Sequence, residues 1–222
     1  MIVSPGRGMV FVHPPKTGGT AVMLAYEARA RADDILIGDT PKAQRRRHRL
    51  RGFQTAGRLW KHARLADIEG LIPREAFAGM LVCATVRNPW DRVVSYYHWL
   101  RAQGFDHPAV RLAARHEFSG FLNHPDTAAA LLANPYAAYA TDGAGTMRGG
   151  FWLHQERLAG DVAELGRRLG LRLALPEGVN RSQRVADWRA YYSDADAALV
   201  ARLCADDIAR FGYGFDDFAS GT

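Results

Sequence analysis

The stretch Met9-Val-Phe-Val-His13-Pro-Pro-Lys16-Thr-Gly-Gly-Thr20 decides the fold of this chain. Its first residues, Met9 to His13, form a short and mostly apolar run that predicts a buried strand. Two prolines, a lysine and two glycines follow and predict a tight loop, and the apolar positions after Thr20 predict a helix. The stretch therefore predicts a strand, a glycine loop and a helix in direct succession.

A second stretch repeats this order. Met80 to Val86 predicts another buried strand, and Arg87-Asn88 ends it. Pro89 suits the first turn of a helix, and the pattern from Trp90 to Gln103 predicts that helix. Two strand-loop-helix units predict the α/β class, with a parallel sheet and ligand-binding loops at the carboxyl ends of its strands.

Length and composition bound the domain organisation. The chain has 222 residues, of which 48% are hydrophobic, and this predicts a single domain over 1–222 with one sizeable core. From about residue 105 the pattern becomes mostly helical, with the best amphipathic helices at Glu156 to Leu169 and at Asp194 to Phe211. The clearest loop in this helical part of the chain is predicted at Gly143 to Gly150.

Charge and cysteine content limit the partners and the compartment. Lys and Arg number 29 against 23 Asp and Glu, so the formal net charge is +6 and an acidic partner is expected: a nucleotide, an anionic glycan, nucleic acid or a membrane surface. Cys83 and Cys204 stand in no metal-like or redox-like pair, which favours the reducing cytoplasm. No apolar stretch approaches a membrane span of roughly 18 residues, and a soluble protein without an anchor is expected.

The first loop has the composition of a phosphate cradle. Its glycines allow successive backbone N–H groups to point into one concavity, next to the positive end of the following helix. Lys16 can donate to a phosphate oxygen, and the hydroxyls of Thr17 and Thr20 can complete the contacts. Alternatively, the turn needs glycine for packing and Lys16 is solvated. The loop departs from G-x-x-x-x-G-K-[ST], because its lysine precedes the glycines.

A second anion-binding group is predicted at Arg87 and Ser95. An arginine that closes a buried strand and a serine two helical turns later can face the same side of a cleft and bind a separate phosphate. In the alternative interpretation, Asn88 caps the helix, Arg87 pairs with a carboxylate such as Asp91, and Ser95 is an ordinary helix residue.

Both motifs resemble those of sulfotransferases that use PAPS (3′-phosphoadenosine 5′-phosphosulfate). Pro-Lys-Thr-Gly-Gly-Thr is similar to their 5′-phosphosulfate loop. Arg-Asn-Pro-Trp-Asp-Arg-Val-Val-Ser-Tyr-Tyr is similar to the 3′-phosphate motif of the carbohydrate branch, which includes heparan 2-O and chondroitin-type enzymes. The C-terminal blocks Asn180-Arg-Ser182, Trp188 to Tyr192, Asp207-Ile208 and Phe211 to Phe215 resemble the closing segment of that branch.

The resemblance implies a P-loop-like three-layer fold with a mostly parallel central sheet flanked by helices. It also implies sulfuryl transfer from PAPS to a hydroxyl, expected to belong to a carbohydrate, with release of PAP and no required metal. It implies that Lys16 stabilises charge on the bridging oxygen during transfer. The residues expected to bind the donor are Pro15, Lys16, Thr17, Gly18, Gly19, Thr20, Arg87, Ser95 and Ser182.

The general base is sought among the histidines, because an imidazole with a near-neutral pKa suits proton abstraction. His62 is the predicted base, because it falls where the 2-O-sulfotransferase relatives resemble one another in carrying a catalytic histidine. His98 and the carboxylates of Glu27 and Asp91 are the alternatives. His13 precedes the loop and is expected to pack or to form hydrogen bonds there.

A basic insertion at about residues 40–62 contains a cluster of arginines. They either line the acceptor cleft and favour an anionic saccharide, or form a solvated face. Two rival functions stay open: a P-loop nucleotide kinase or other phosphotransferase, and a non-catalytic module that binds anions or nucleic acid. The acceptor's identity and the oligomeric state are left open. The clustered residues are Arg45, Arg46, Arg47, Arg49 and Arg51.

Overall fold

A computed structural model describes residues 1–176 and 184–217 of the chain. The chain divides into two compact units, which we call unit 1 (Met1–Val86 and Tyr136–Asn180) and unit 2 (Arg87–Pro135 and Arg181–Thr222). Each is described here by itself. The prediction of one domain over 1–222 stays a prediction.

Unit 1 contains an open five-stranded mixed sheet in the order β3-β1-β2-β4-β5. β2 pairs in parallel with β4, from Met9 opposite Leu81 to Val12 opposite Ala84, and β4 pairs in parallel with β5. β1 runs antiparallel to both of its neighbours. The predicted α/β class and the parallel centre are therefore confirmed. The strands are β1 (Ile2–Ser4), β2 (Met9–Val12), β3 (Ile35–Leu36), β4 (Leu81–Val86) and β5 (Gly149–His154).

The helix predicted from Trp90 to Gln103 is observed as α4, Pro89–Arg101, whereas another predicted helix is divided. The predicted helix Asp194 to Phe211 is two helices that meet at Cys204. No helix within the described ranges has the length and apolarity needed to cross a membrane. The α-helices are α1 (Gly19–Glu27), α2 (Pro41–Arg46), α3 (Arg74–Ala78), α4 (Pro89–Arg101), α5 (Pro108–Arg115), α6 (Phe118–Leu122), α7 (Pro125–Ala133), α8 (Tyr136–Tyr139), α9 (Leu158–Arg168), α10 (Asp194–Leu203) and α11 (Ala205–Phe211).

The central strands are buried on both faces. Successive side chains of a strand point to opposite faces, so Met9 and Phe11 pack with α1 and α9, whereas Val10 and Val12 pack with α8 and with apolar side chains between residues 63 and 77. This double burial explains why β2 and β4 are continuous apolar runs. It also leaves the strand ends as the places where polar side chains can gather.

Unit 2 has a separate helical core. Apolar side chains of α4 and α10, including Val94 and Val200, pack with aromatic residues of α6 and with Trp188. The Asn88 side chain accepts a hydrogen bond from the backbone N–H of Trp90 at 3.1 Å and so caps α4, as the sequence suggested.

A buried ionic network fixes the start of the unit 1 sheet. The Asp34 carboxylate is fully buried and pairs with Arg7 at 2.9 Å. It also accepts hydrogen bonds from the hydroxyls of Ser4 at 2.6 Å and Tyr26 at 3.0 Å. Because these partners belong to β1, to the turn after it and to α1, the carboxylate ties three segments together.

We expect Asp34→Ala to lower the free energy of unfolding by about 3–5 kcal/mol, because it leaves the buried Arg7 guanidinium without its counter-charge. Urea denaturation followed by circular dichroism measures the change. Asp33→Ala at the adjacent exposed position is the control and should stay within about 0.5 kcal/mol of the parent. Equal stability of the two variants would show that the network contributes little.

Candidate functional site

The glycine loop joins β2 to α1 and contains two residues with left-handed backbone. Lys16 has a φ of 67° and Gly18 a φ of 83°. A methyl group at Gly18 would overlap the Gln155 side chain, and one at Gly19 would overlap the ring of His13. The left-handed backbone at Gly18 and the close packing of Gly19 on His13 therefore favour glycine at both positions, whether or not an anion is bound. Pro15, Lys16 and Thr20 are half-buried.

Thr17 fastens this loop to the sheet. Its hydroxyl is buried and donates to the Pro14 carbonyl at 2.7 Å, and it lies 2.6 Å from the hydroxyl of Thr85 in β4. Since the Thr17 proton goes to Pro14, Thr85 donates in the second bond. In this arrangement the Thr17 hydroxyl positions the loop, and its predicted contact with a phosphate stays a prediction.

His62 lies against His13, the residue between β2 and the loop. The Nδ1 of His62 is 2.7 Å from the His13 carbonyl oxygen. A carbonyl only accepts, so Nδ1 bears the proton and Nε2 keeps a lone pair. Burial lowers the pKa of His62 to about 4, against an opposing contribution from this hydrogen bond. The imidazole is therefore neutral near pH 7, with Nε2 able to accept a proton.

His13 and His62 form a contacting pair of neutral rings. Their centroids are 4.7 Å apart and their planes are inclined by 65°. Burial, followed by the neighbouring His62, holds the pKa of His13 well below its usual range. Neither ring is therefore charged at neutral pH. The ring of Trp60 meets His62 edge-on, at 5.2 Å between centroids.

A cleft of about 260 Å³ lies beside the loop, and all of its walls belong to unit 1. His13 and Thr20 line it, so the cleft borders both the loop and the histidine pair. His62 is not a lining residue, but the adjacent Lys61 is. The full lining consists of Met1, His13, Thr20, Met23, Leu24, Ile37, Gly38, Asp39, Thr40, Pro41 and Lys61.

In unit 2, Asp91 and Ser95 share one face of α4, because residues four apart are neighbours on a helix, and Arg87 directly precedes the N-cap residue Asn88. Arg87 binds Asp91 through Nε at 2.8 Å and Nη2 at 2.7 Å. Arg184 binds the other carboxylate oxygen of Asp91. The pairing of Arg87 with Asp91 is the alternative that the sequence left open. The Asp91 carboxylate therefore holds two guanidinium groups beside each other.

Of the other candidates for a base, the two carboxylates are already engaged by neighbouring groups. Glu27 is buried and accepts hydrogen bonds from Thr40 and from the backbone of Ala43. Asp91 lies between its two arginines. His98 follows Ser95 on α4, and burial together with Arg184 lowers its pKa. Ser182, a predicted donor contact, lies outside the described residues.

Unit 1 thus gathers the loop and His62 around His13. Unit 2 places Ser95 on α4 and Arg87 just before that helix. Sequence reasoning missed Thr85 and Arg184. Thr85 is 68 positions from Thr17, and Arg184 is 93 positions from Asp91, so no local pattern connects either pair. Over residues 1–176 and 184–217, no group of three His, Cys, Asp or Glu side chains is arranged to hold a metal ion.

Comparison with known proteins identifies no family for this chain, so a functional proposal depends on the chemistry of the candidate site. No protein-family model matches the chain, and no curated protein matches it.

We expect His62 to remain neutral down to about pH 4 and to show the Nδ1–H tautomer in ¹⁵N-edited NMR spectra. The folded-state pKa of about 4 lies below the ordinary value of about 6.5. As the pH falls, the unfolded chain therefore binds a proton at His62 before the folded protein does. The contribution of neutral His62 to the free energy of unfolding is lost between about pH 6.5 and pH 4.

The signals that disappear in His62→Gln are assigned to the His62 ring. The same signals measured in urea give the pKa of His62 in the unfolded chain. A midpoint near 6.5 in the folded protein, or an Nε2–H tautomer, would contradict the hydrogen bond to His13.

Proposed function

We propose that this protein is a PAPS-dependent sulfotransferase, which moves a sulfuryl group from PAPS to an acceptor hydroxyl and releases PAP. One observation supports the proposal above the others. Cationic anion-binding groups follow two adjacent parallel strands: the Lys16 loop follows β2, and Arg87 with Ser95 follows β4. A donor with phosphates at two separate positions needs two such groups, whereas a single loop would fit any phosphate compound.

The proposed reaction is an in-line displacement at sulfur. The acceptor oxygen forms a bond to sulfur while the bond from sulfur to the bridging oxygen of the donor breaks, and the electron pair of that bond leaves on the phosphate of PAP. The acceptor proton moves to a neutral imidazole. Lys16 donates a hydrogen bond to the bridging oxygen as negative charge develops there.

The proposed base is His62, since its Nε2 has a lone pair while Nδ1 donates to the His13 carbonyl. An imidazole whose pKa is about 4 accepts a proton weakly, so the step needs concerted departure of the activated donor. His13 is the second candidate, because its side chain lines the cleft beside the loop.

Several finer assignments belong to the same proposal. The unit 1 sheet with packed layers on both faces is proposed to be P-loop-like, and Ser182 is proposed to contact the nucleotide. A carbohydrate acceptor is proposed on the resemblance alone, and a cytoplasmic location on the cysteine content. A nucleotide kinase is the weaker alternative, because the lysine precedes the glycines of the loop.

A polyanion-binding role without catalysis is favoured by one observation. Four arginines of the basic insertion are exposed: Arg45, Arg47, Arg49 and Arg51. Arg46 donates to the backbone carbonyl of Arg31 and Arg49 to that of Ala32, which fixes this charged segment against the chain that follows α1. Such a surface binds nucleic acid or anionic glycans in proportion to charge and loses affinity with salt.

We expect calorimetry to show micromolar binding of PAP, much weaker binding of ATP, and loss of PAP binding in Arg87→Ala. The reason is that the Arg87 guanidinium is the proposed ligand of the 3′-phosphate, which ATP lacks. Arg101→Ala is the matched control, since it removes an exposed arginine from the same helix. Equal or tighter binding of ATP would contradict the sulfotransferase proposal.

For the base, we expect His62→Ala to keep PAP affinity and to lose transfer of labelled sulfate by about 10²-fold or more. Glycans, lipid-linked sugars and small phenols are the acceptors to screen with labelled PAPS. His48→Ala, at an exposed position of the basic insertion, is the control and should transfer normally. Near-normal turnover in His62→Ala would remove it from the mechanism and direct attention to His13.

A further inference from the structure

The cleft beside the loop occupies the sheet edge where the parallel strands end. β2 and β3 run in the same direction, since both are antiparallel to β1. His13 follows β2, and the lining segment Ile37 to Pro41 follows β3. Thr20, Met23 and Leu24 present one face of α1 to the same space. Ligands of open α/β sheets bind at this edge.

The chemistry of the lining is mostly apolar. Met23, Leu24, Ile37 and Pro41 supply hydrocarbon surface. The two charged lining residues neutralise each other, because the ammonium of Lys61 is 2.6 Å from the carboxylate of Asp39.

The side chains of the polar lining residues Thr40 and His13 add no charge either. The Thr40 hydroxyl is engaged, since it donates to the buried Glu27 carboxylate. The ring of His13 is neutral near pH 7, because burial lowers its pKa. An anionic ligand would therefore lose its hydration here without gaining an uncommitted counter-charge.

We propose that this cleft binds the acceptor, and that the group entering it is an uncharged, largely apolar body whose hydroxyl meets the loop at Thr20 and at His13, the second candidate for the base. The inference rests on the proposed sulfotransferase function and names the acceptor class of that site. It differs from the anionic saccharide that the arginine cluster suggested. Those arginines do not line the cleft.

The size of the cleft fits one or two small rings. Its volume of about 260 Å³ exceeds the roughly 150 Å³ of an apolar protein cavity that admits benzene. A polymer can place only one unit in such a space. The cleft therefore selects the hydroxyl-bearing end of an acceptor.

Gly38 offers a way to fill the cleft without disturbing the donor loop. A Cβ at this lining position would lie 3.6 Å from Met23 Cε and 3.7 Å from Lys61 Cβ, which are ordinary contacts. An added methyl is therefore tolerated, and a longer side chain extends into the cleft. Gly160, on α9 of the same unit, has open space around it and serves as the matched control position.

The experiment measures binding of 2-naphthol, a neutral two-ring phenol, by its fluorescence, with and without saturating PAP. We expect Gly38→Leu to weaken 2-naphthol binding about tenfold or more and Gly38→Ala to weaken it by a smaller factor. Gly160→Leu should bind 2-naphthol like the parent. Calorimetry with PAP on each variant should give unchanged donor affinity.

The inference would be overturned if a parent protein that binds PAP did not bind 2-naphthol. It would also be overturned if the parent and both Gly38 variants bound 2-naphthol equally. Competition of a heparin tetrasaccharide for the cleft, lost in Gly38→Leu, would also overturn it in favour of an anionic acceptor. Loss of the sulfotransferase proposal is a separate outcome, since PAP would then fail to bind while Gly38→Leu still abolished 2-naphthol binding.

Discussion

The parallel pairing of β2 with β4 is the constraint on which the rest of the site depends. The register from Met9–Leu81 to Val12–Ala84 brings both strands to an end at one edge of the sheet. Both strands are buried on two faces, so their side chains belong to the core. The polar residues of the candidate site follow the last paired residues of the strands. The bond between the Thr17 and Thr85 hydroxyls then links the loop after β2 to the adjacent strand. Loss of this pairing would separate the loop from the edge that positions it.

The electrostatic surroundings of the candidate residues differ between unit 1 and unit 2. In unit 1 burial keeps His13 and His62 neutral, because the interior penalises an imidazolium ion more than the single hydrogen bond to a carbonyl favours it. In unit 2 the carboxylate of Asp91 sits between Arg87 and Arg184, which satisfies part of each guanidinium and fixes its position. A neutral environment suits proton acceptance, and a cationic one suits a phosphate.

The success of sequence reasoning followed the length and regularity of each segment. β2, β4 and α4 were predicted to within about two residues, because four to thirteen residues with consistent burial leave a periodic pattern. β1 and β3, with three and two residues, are too short to leave one. β5 begins with Gly149-Gly150, which indicated a loop, and it forms a strand because β4 supplies the hydrogen-bonding partner. Tertiary pairing here overrides local preference.

By itself, the sequence determined the strand-loop-helix order, the cationic and glycine-rich chemistry of the loop, and the positions of Arg87 at the end of a strand and Ser95 on the following helix. These features depend on residues close together in the chain. Only the tertiary structure decided which ring nitrogen of His62 bears the proton and which hydroxyl contacts Thr17. It also decided that an apolar cleft opens between α1 and the segment after β3. Those features depend on burial and on contacts between residues up to 68 positions apart, and no local pattern encodes a contact over such a separation.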